Sequence, residues 1–519
     1  MKKYLFKTQL LSLAALCGIV LAFASCANED VAQNATGTEG DNDKNLTAFV
    51  AGEEATTRTS LDYNSGNFYW EAGDYIYVKD DNGVLQKSKN APNQRLASFK
   101  YMVPGKFTAK TSYKVYYLGK NSDGTSVSIS TDQSQTAPNN TAHFGDAGDY
   151  GTATANKVTG KNQFKFVLEH QPAYLVFQPY TSNFILRDCY LTKVEVSSDN
   201  DIAEKYTFDP TTSALDASTV TNGDKIVLTT SGSSSNPNGF PLTNSAASVT
   251  TNGAYVVIKP GTHTLKVRYW VKDIATNVEG TITKTYPSSS YASNTYYDMT
   301  ANLDVKNYDG NYYMWDAQQN YWSGHEWNSA SPWQPVLNGN SNSNYAQSNT
   351  DPRYYNEAFT YGADNKATHS PCSTLPNVNE MTWYAAKGDP RWDGDELWTT
   401  MGHLYKGGMW FLKRANITGF RADQAYDGTD WRTNENGNIR WSASQTLPSA
   451  ADAGNYFYLP ALGDYTSGWL NFVGRNGHYW SSSAASLTIG NAYGLGFGSG
   501  YVGVYYYYRY YGFRAGGFE

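Results

Sequence analysis

The sequence contains few charges and few cysteines, and both shortages narrow the classes of protein to which it can belong. Only 17% of its 519 residues are charged, and the formal net charge is −7. Nucleic-acid binding needs clustered Lys and Arg to neutralise phosphates, and no such stripe occurs, so no nucleic-acid partner is predicted. The four cysteines form no CxxC pair, which argues against a thiolate zinc site.

The common signatures of catalysis and cofactor binding are also missing. The sequence has no P-loop, no GxGxxG, no GxSxG and no HExxH, and its seven His are scattered. We therefore predict no enzymatic activity, no cofactor and no metal site. One acidic cluster could bind calcium, but its members also suit a turn followed by the first turn of a helix. That cluster consists of Asp389, Asp393, Asp395 and Glu396.

No apolar run is long enough to span a membrane comfortably, but the chain begins with a short one. Lys2, Lys3 and Lys7 precede apolar residues from Leu10 to Phe23, and small residues follow. This pattern predicts a secretory signal peptide over residues 1–25. Cys26 directly after Ala24-Ser25 resembles a bacterial lipoprotein box, which implies a lipid anchor at Cys26. An ordinary signal peptide cut near Cys26 is the alternative.

A polar segment follows Cys26 and predicts a flexible, acidic tether over residues 26–46. It is rich in Asn, Gly, Thr and acidic residues and can bury no core. Its acidic pair Glu29-Asp30 resembles the surface-export signal of some Gram-negative lipoproteins. That resemblance implies a location on the outer membrane, facing the cell exterior.

From Thr47 to Leu303 the pattern is typical of short strands separated by Gly, Pro, Asn and Ser, as in β-sandwiches. Phe164 to Phe177 predicts two strands around Gln171-Pro172. The residues on either side of Pro260-Gly261 predict a hairpin, and Thr229 to Ser248 predicts a long loop.

Several short motifs in this region resemble the fimbrillin family of bacterial surface pilins. They are Thr57-Arg58-Thr59, Phe68-Tyr69-Trp70-Glu71-Ala72-Gly73-Asp74-Tyr75-Ile76, Phe166-Val167-Leu168-Glu169-His170 with Ala173, and Pro260-Gly261. The resemblance implies two transthyretin-like β-sandwiches, over 47–186 and 187–305. It also implies cleavage after Arg58, which would let another subunit's strand enter a groove. Alternatively, Arg58 is a solvated residue on a first strand.

After Asn307 the sequence becomes rich in Trp, and two helices are predicted. One covers Asn377 to Lys387 and ends at Gly388. The other covers Asp395 to Lys406 and ends at Gly407, with Leu397, Met401, Leu404 and Tyr405 on one face. Short strands are predicted at Met409 to Leu412 and at Tyr456 to Leu459.

This half resembles the lectin-like paralogous domains abbreviated FISUMP, which have a C-type-lectin-like fold. The motifs are Asn379-Glu380-Met381-Thr382-Trp383-Tyr384, Gly388-Asp389-Pro390-Arg391-Trp392-Asp393, Leu397-Trp398, Phe457-Tyr458-Leu459-Pro460-Ala461, Tyr479-Trp480-Ser481-Ser482-Ser483, and Arg509 with Gly512-Phe513. The resemblance implies a ligand-binding domain over 306–519. Formylglycine-generating enzymes share this fold but carry paired catalytic Cys. This half has only Cys372, and its pairing with Cys189 cannot be assigned from sequence.

The C-terminus carries a run of tyrosines that is typical of a binding surface. Tyr offers a large, rigid ring with a polar tip and few torsions to freeze. An aromatic edge strand is the alternative. The predicted ligand-binding residues are Tyr501, Gly503, Tyr505, Tyr506, Tyr507, Tyr508, Tyr510 and Tyr511.

The same segment resembles the variable region of proteins diversified by retroelement-directed adenine mutagenesis. Residues Leu470 to Phe518 contain no Lys, Glu, Gln or Met, as that mechanism implies, although ordinary divergence would also explain this. The predicted structural frame of the binding loop is Trp480, Arg509, Gly512 and Phe513. Arg509 could contact ligand or could pin the tyrosine segment from below, and we favour the pin.

Together these patterns predict a mainly-β chain with a C-terminal α+β domain, made of two transthyretin-like sandwiches and a C-type-lectin-like domain. The predicted function is a surface lipoprotein adhesin that binds a host or bacterial glycan or protein ligand. The alternative is a structural subunit or anchor of a fimbrillin-type fibre that contacts other fimbrial subunits. A formylglycine-generating-like enzyme is a remote alternative.

Overall fold

The computed structural model describes residues 3–5, 46–51, 60–63, 67–120, 122–209, 214–358 and 365–519. Within these ranges the chain is mainly β and is built from several sheets, which confirms the predicted fold class at that level. None of the helices in these ranges has the length and apolar character needed to cross a membrane. Cys26 and Arg58 lie outside the described residues, as do the tether up to residue 45 and the signal peptide apart from residues 3–5.

The first part of the chain forms a large sheet with a core rich in aromatic residues, and some of its strands join other sheets. Its elements are β1 (Lys3–Leu5), β2 (Leu46–Ala51), β3 (Ser60–Asp62), β4 (Asn67–Tyr69), β5 (Tyr77–Lys79), β6 (Leu85–Lys87), β7 (Lys100–Pro104), β8 (Ser112–Tyr117), β9 (Ser126–Ser128), β10 (Asp132–Ser134), α1 (Phe144–Ala147), β11 (Gly151–Lys157), β12 (Gln163–Phe166) and β13 (Glu169–His170). The strand order is β6-β5-β8-β11-β12-β2-β7, with β13 beside β11. Phe49 stacks on Phe164 at 5.0 Å, close to the buried Trp70.

The second part forms two larger sheets around one apolar core, and its strands β16 and β17 form a three-stranded sheet with β9. Its elements are β14 (Ala173–Tyr180), β15 (Tyr190–Ser198), β16 (Lys205–Asp209), β17 (Ala214–Ser218), β18 (Lys225–Thr229), β19 (Phe240–Pro241), α2 (Val249–Asn252), β20 (Ala254–Ile258), β21 (Gly261–Lys272), β22 (Glu279–Tyr291), β23 (Thr295–Asn302) and β24 (Lys306–Asn307). The sheet orders are β1-β23-β14-β20 and β10-β18-β15-β21-β22. The predicted domain boundary at residue 186 falls after β14, which pairs with β20 and β23.

Strands lie on both sides of Gln171-Pro172 as predicted, although the part before it forms two strands, β12 and β13, instead of one. The predicted hairpin at Pro260-Gly261 is wrong. Strands β20 and β21 both form, yet they belong to different sheets. Every residue of β20 is buried, whereas buried residues in β21 alternate with more exposed ones. A strand buried throughout needs cover on both faces, and an alternating strand suits a sheet with one face in water, so the chain crosses between sheets at Pro260.

The third part combines one helix with two four-stranded sheets. Its elements are α3 (Val378–Lys387), β25 (Arg391–Thr400), β26 (His403–Leu412), β27 (Ile439–Ser442), β28 (Tyr456–Pro460), β29 (Asp464–Thr466), β30 (Trp469–Asn471), β31 (Asn476–Ala484), β32 (Asn491–Gly498) and β33 (Tyr501–Tyr508). The sheet orders are β24-β25-β26-β28 and β27-β33-β32-β31. The Asn377 side chain caps α3 through a capping box with Glu380, and the helix ends before Gly388 as predicted.

The second predicted helix, Asp395 to Lys406, is wrong. This segment is the β25–β26 hairpin, in which Thr400 pairs with His403 across a two-residue turn. Met401 and Gly402 in that turn have φ of +46° and +82°, which matches the left-handed turns that hairpins prefer. The Asp393 carboxylate accepts hydrogen bonds from the backbone of Asp395 and Glu396, so these acidic residues lie in an irregularity of β25 instead of starting a helix.

A candidate aromatic binding surface

The tyrosine run lies on an interior strand. Strand β33 pairs with β27 on one side and with β32 on the other, so its backbone is hydrogen bonded along both edges. Side chains alternate between the two faces of a strand. Val502, Val504 and Tyr506 pack toward the core that includes α3, whereas Tyr501, Tyr505 and Tyr507 belong to the opposite face.

Glycines form the floor of that opposite face. Gly494, Gly496 and Gly498 of β32 lie beside Tyr505, Gly503 and Tyr501 of β33. A Cβ added at Gly503 would lie 2.5 Å from atoms of the Tyr505 ring, and one at Gly496 would lie 3.3 Å from it. The floor therefore has no side chains, and the tyrosine rings lie directly over backbone.

Polar groups border these rings. The Arg440 guanidinium lies 3.9 Å from the centroid of the Tyr501 ring, and Asn476 Nδ2 donates a 2.7 Å hydrogen bond to the Tyr501 hydroxyl. His478 contacts Tyr507 with its ring, and its Nδ1 lies 2.9 Å from Asp464 Oδ2. We call the six residues on this face the tyrosine platform: Tyr501, Tyr505, Tyr507, Arg440, Asn476 and His478.

Ring contacts extend from the platform into a buried cluster. The Tyr507 centroid is 5.8 Å from that of Tyr505 and 4.7 Å from that of Phe513. Phe513 in turn stacks on Trp480 at 4.4 Å. Each platform ring is thus backed by another ring or by the glycine floor, which limits its freedom to rotate before a ligand arrives.

The other predicted ligand-binding tyrosines lie elsewhere. Tyr506 is half-buried on the helix side, near Tyr493. Tyr508 and Tyr510 stack on each other at 5.2 Å at the end of β33 and are 52% and 37% exposed. Tyr511 packs against Tyr510 and Phe513. Gly503 is buried and supplies space under Tyr505 rather than a contact group.

Arg509 is buried beneath the end of the strand. Its Nε donates to the Asn491 carbonyl at 3.1 Å, its Nη1 donates to the Asn356 carbonyl at 3.2 Å, and its guanidinium lies 4.4 Å from the Trp315 ring centroid. Burial lowers the pKa of this guanidinium to about 10, so it remains charged at neutral pH. The structure therefore places Arg509 under the tyrosine segment, where it ties β33 to two other segments.

The remaining frame residues hold the same region from below. Trp480 is fully buried, and its Nε1 donates to the Tyr313 carbonyl at 2.7 Å. Phe513 pairs with Tyr313 through the backbone. A Cβ at Gly512 would lie 2.6 Å from the Tyr321 ring. The segment around residues 312–321 thus packs against the strand end, and only glycine fits at 512.

The hydroxyls of Tyr505 and Tyr507 stay protonated at any physiological pH. Burial raises the pKa of Tyr507 and Tyr505, and neighbouring tyrosines raise it further. The surface therefore offers neutral rings for stacking, together with hydroxyl, amide and guanidinium groups for hydrogen bonds.

The acidic cluster considered for calcium is occupied by protein partners. Asp389 accepts hydrogen bonds from Arg391 and Tyr456, and Asp393 accepts one from Trp410. Across the described ranges, no group of three or more His, Cys, Asp or Glu is arranged to hold a metal ion. Cys189 and Cys372 are both buried and unpaired, and burial raises the pKa of Cys372 to about 12.

Sequence reasoning missed Arg440 and Asp464 as neighbours of the tyrosines. Both are distant in sequence and reach the site only because β27 and the β29–β30 hairpin flank the same sheet. A signal for β27 does exist, since Ile439 and Trp441 alternate with Arg440 and Ser442 as in a half-buried strand.

No protein-family model matches the chain, and no curated protein matches it. Among solved structures, it is similar to a candidate cell adhesion protein from Bacteroides uniformis, with 15% identity and a TM-score of 0.28 over 50% of this chain and 93% of that chain. It is also similar to a fimbrial protein from Bacteroides ovatus, with 11% identity and a TM-score of 0.23 over 90% and 99%. A third is the fimbrial anchor protein Mfa2 from Porphyromonas gingivalis, with 13% identity and a TM-score of 0.21 over 46% and 82%. Because these TM-scores are low, none of the likenesses carries an argument about fold or function.

Proposed function

We propose that the chain is a cell-surface adhesin that presents the tyrosine platform to a glycan or protein ligand. One observation carries this proposal: Tyr501, Tyr505 and Tyr507 lie half-buried over a glycine floor, on a strand that is hydrogen bonded along both edges. Rings held in place before binding lose little conformational entropy when a ligand arrives, and such pre-organisation strengthens binding.

The chemistry of the platform suits a neutral ligand with an apolar face and hydroxyl groups. A sugar ring fits this description, since its C–H face stacks on aromatic rings and its hydroxyls pair with side chains such as Asn476 and Arg440. An aromatic side chain of a protein partner fits it as well. The lectin-like character of the domain and the retroelement-type variability of its tyrosine positions belong to this proposal.

The anchoring of the adhesin rests on the sequence signals at its start. The basic and apolar residues before Cys26 and the acidic tether after it support lipidation at Cys26. A lipid anchor of this kind would hold the chain on the outer membrane, with the tether setting its distance from the surface.

A second candidate function is a structural subunit or anchor of a fibre, and one observation favours it. Strand β1 pairs with β23 at the edge of the four-stranded sheet, and β1 lies within the predicted signal peptide. Removing that peptide would expose the backbone of β23, which could then accept a strand from another subunit. Cleavage after Arg58 belongs to this candidate.

The adhesin proposal is tested by removing the platform rings from the full chain. Tyr501→Ala, Tyr505→Ala and Tyr507→Ala would be combined, and binding to a glycan array and to host and bacterial cells would be measured. We expect saturable binding by the unmodified protein and a loss of at least about tenfold in the triple variant.

The matched control is Phe184→Ala, because Phe184 is a 56% exposed aromatic residue remote from the platform. It should bind like the unmodified protein. The triple variant loses the packing of Tyr507 on Phe513 and should melt at a lower temperature, so urea unfolding must show that it is still folded under the conditions of the binding assay. Equal binding by the triple variant would refute the adhesin proposal. Assembly into fibres without any ligand binding would favour the structural subunit.

A further inference from the structure

One cavity of the structure has a volume of about 560 Å³ and another has a volume of about 300 Å³. The smaller cavity combines two cationic side chains with an apolar wall, and this combination suggests a particular class of ligand. This smaller cavity lies where the second and third parts of the chain meet. Thr276 and Val278 line it from the β21–β22 connection, and Lys406, Val473 and Arg475 line it from the third part. We call it the junction cavity. It is separate from the tyrosine platform, although Arg475 directly precedes the platform residue Asn476.

The walls of the junction cavity are held rigidly by the protein's own hydrogen bonds. The Asn338 side chain accepts from the Val473 backbone N–H and donates to the Val473 carbonyl, both at 2.9 Å. Thr276 Oγ1 donates to the Leu404 carbonyl at 3.0 Å. The Tyr405 hydroxyl donates to the Val336 carbonyl at 2.8 Å, which fixes its ring. The cavity is therefore built by both parts of the chain and needs no ligand to form.

A glycine turn brings the backbone next to Arg475 close to the backbone of Lys406, so that both residues line the cavity. Gly474 has φ of +81°, and a Cβ there would lie 3.2 Å from the Lys406 carbonyl oxygen. Only glycine adopts this conformation easily with another backbone so close. The turn thus places Arg475 beside the strand segment that carries Lys406.

The lining carries two cations, Lys406 and Arg475, and the nearby buried carboxylate of Asp273 accepts hydrogen bonds from the lining residues Ala275 and Thr276. Lys406 lies 3.5 Å from Asp395, whose carboxylate is 97% exposed and so contributes little. In the described part of the chain, no carboxylate lies within ion-pair distance of Arg475. The other lining groups are apolar, such as Val278, Leu337 and Val473, or are uncharged hydrogen-bonding groups.

We propose that the junction cavity binds one acidic sugar unit, with its carboxylate paired to Lys406 and Arg475 and its ring against the apolar wall. A forked guanidinium matches a carboxylate well. The volume of about 300 Å³ is at the small end of ligand sites, which suits a single pyranose and excludes a longer chain. This inference does not depend on the tyrosine platform.

The test is calorimetric titration of the full chain with glucuronate, glucose and inorganic sulfate. We expect saturable glucuronate binding, with glucose and sulfate each at least about tenfold weaker, because the site needs both the anion and the ring. Lys406→Gln and Arg475→Gln should each weaken glucuronate binding at least tenfold. Lys266→Gln removes a cation from an exposed position of β21 and should leave it unchanged.

Three results would overturn the proposal. The first is no glucuronate binding by the folded, unmodified chain, and the second is sulfate binding as tight as glucuronate, which would indicate a simple anion site. The third is glucuronate binding that survives Arg475→Gln but is lost on Tyr505→Ala, which would place the sugar on the platform. Urea unfolding of each variant verifies that the fold is kept.

Discussion

At the scale of single residues, the absence of a side chain matters most at Gly503. This residue is buried on β33, and the Tyr505 ring occupies the space that a Cβ would take. The resemblance to a diversified variable region places Gly503 among the predicted ligand-binding residues. In the structure Gly503 contacts no ligand-facing space; its missing side chain lets the Tyr505 ring lie close to the backbone.

We expect Gly503→Ala to displace the Tyr505 ring and to weaken binding by the platform. Overpacking of this kind costs about 1–3 kcal/mol of stability, measurable by urea unfolding. Gly500→Ala is the matched control, because nothing lies within 4 Å of a Cβ at that position, and it should be neutral or slightly stabilising. Equal stability of the two variants would contradict the proposed packing.

A second residue-scale prediction concerns His143. Burial lowers the pKa of this side chain to about 4, although its bond to the Tyr255 carbonyl, its bond to Asn140 and the Asp146 charge oppose the shift. The folded state thus holds His143 neutral, while the unfolded chain protonates it near pH 6.5. Its stabilising effect is present above that pH and is lost as the pH falls from about 6.5 to 4.

The free energy of unfolding should therefore fall by about 3 kcal/mol over that window because of His143. Urea unfolding at several pH values would measure it. His143→Gln cannot titrate, so it should lose this component of the pH dependence. A pH profile that is the same in the variant and the unmodified chain would show that His143 is not the group responsible.

At the scale of elements, the sequence predicts those helices and strands whose formation depends on residues close together in the chain. Helix α3 could be predicted because its capping box and its terminal Gly388 are written in consecutive residues. The hairpin of β25 and β26 could not, because Leu397, Met401 and Leu404 happen to follow helical spacing. What decides that segment is pairing with β24 and β28 on either side, and a sequence pattern does not reveal it.

The capping box makes a direct prediction for α3. Asn377→Ala removes the side chain that accepts from the Glu380 backbone N–H and donates to the Ala422 carbonyl. We expect a loss of about 1–2 kcal/mol in the free energy of unfolding. Asn377→Ser keeps a capping oxygen and should lose less, so an equal loss in both variants would argue against the cap as the cause.

At the scale of the whole molecule, the β25–β26 hairpin of the third part contributes to the apolar core of the second part. Leu397 and Leu404 of the β25–β26 hairpin belong to the same buried cluster as the strands of the second sandwich. Asp273 Oδ2 accepts from the Leu404 backbone N–H at 3.0 Å, and Asn183 donates to Thr399 at 2.9 Å. The third part, which carries the tyrosine platform, is therefore packed firmly against the second part of the chain.

We expect these two parts to unfold together in a single calorimetric transition. Leu404→Ala should lower the free energy of unfolding by about 2–5 kcal/mol, because Leu404 is fully buried at the junction. Leu487→Ala, at a 69% exposed position, should change it by less than about 0.5 kcal/mol. Separate transitions in the unmodified chain would contradict the shared core.

The candidate site could be predicted only in part. What the sequence does not reveal is which distant residues the fold brings next to the tyrosines. The tyrosine run and its frame were visible in the sequence because they are contiguous or belong to recognisable motifs. The sequence does not show how the tyrosines divide between the two faces of the sheet, because that division depends on β33 being an interior strand and not an edge strand. Arg440 and Asp464 were invisible because only strand pairing brings them to Tyr501 and His478.

The backbone hydrogen bonds on both sides of β33 have a consequence for how the sequence of this protein can evolve. The backbone of the strand is fixed by β27, β32 and the buried Val502 and Val504, so folding depends little on which rings stand at positions 501 and 505. On our proposal that this surface binds a ligand, mutations there would change its specificity while the scaffold persists. Substitutions on this face should therefore accumulate with little loss of fold stability.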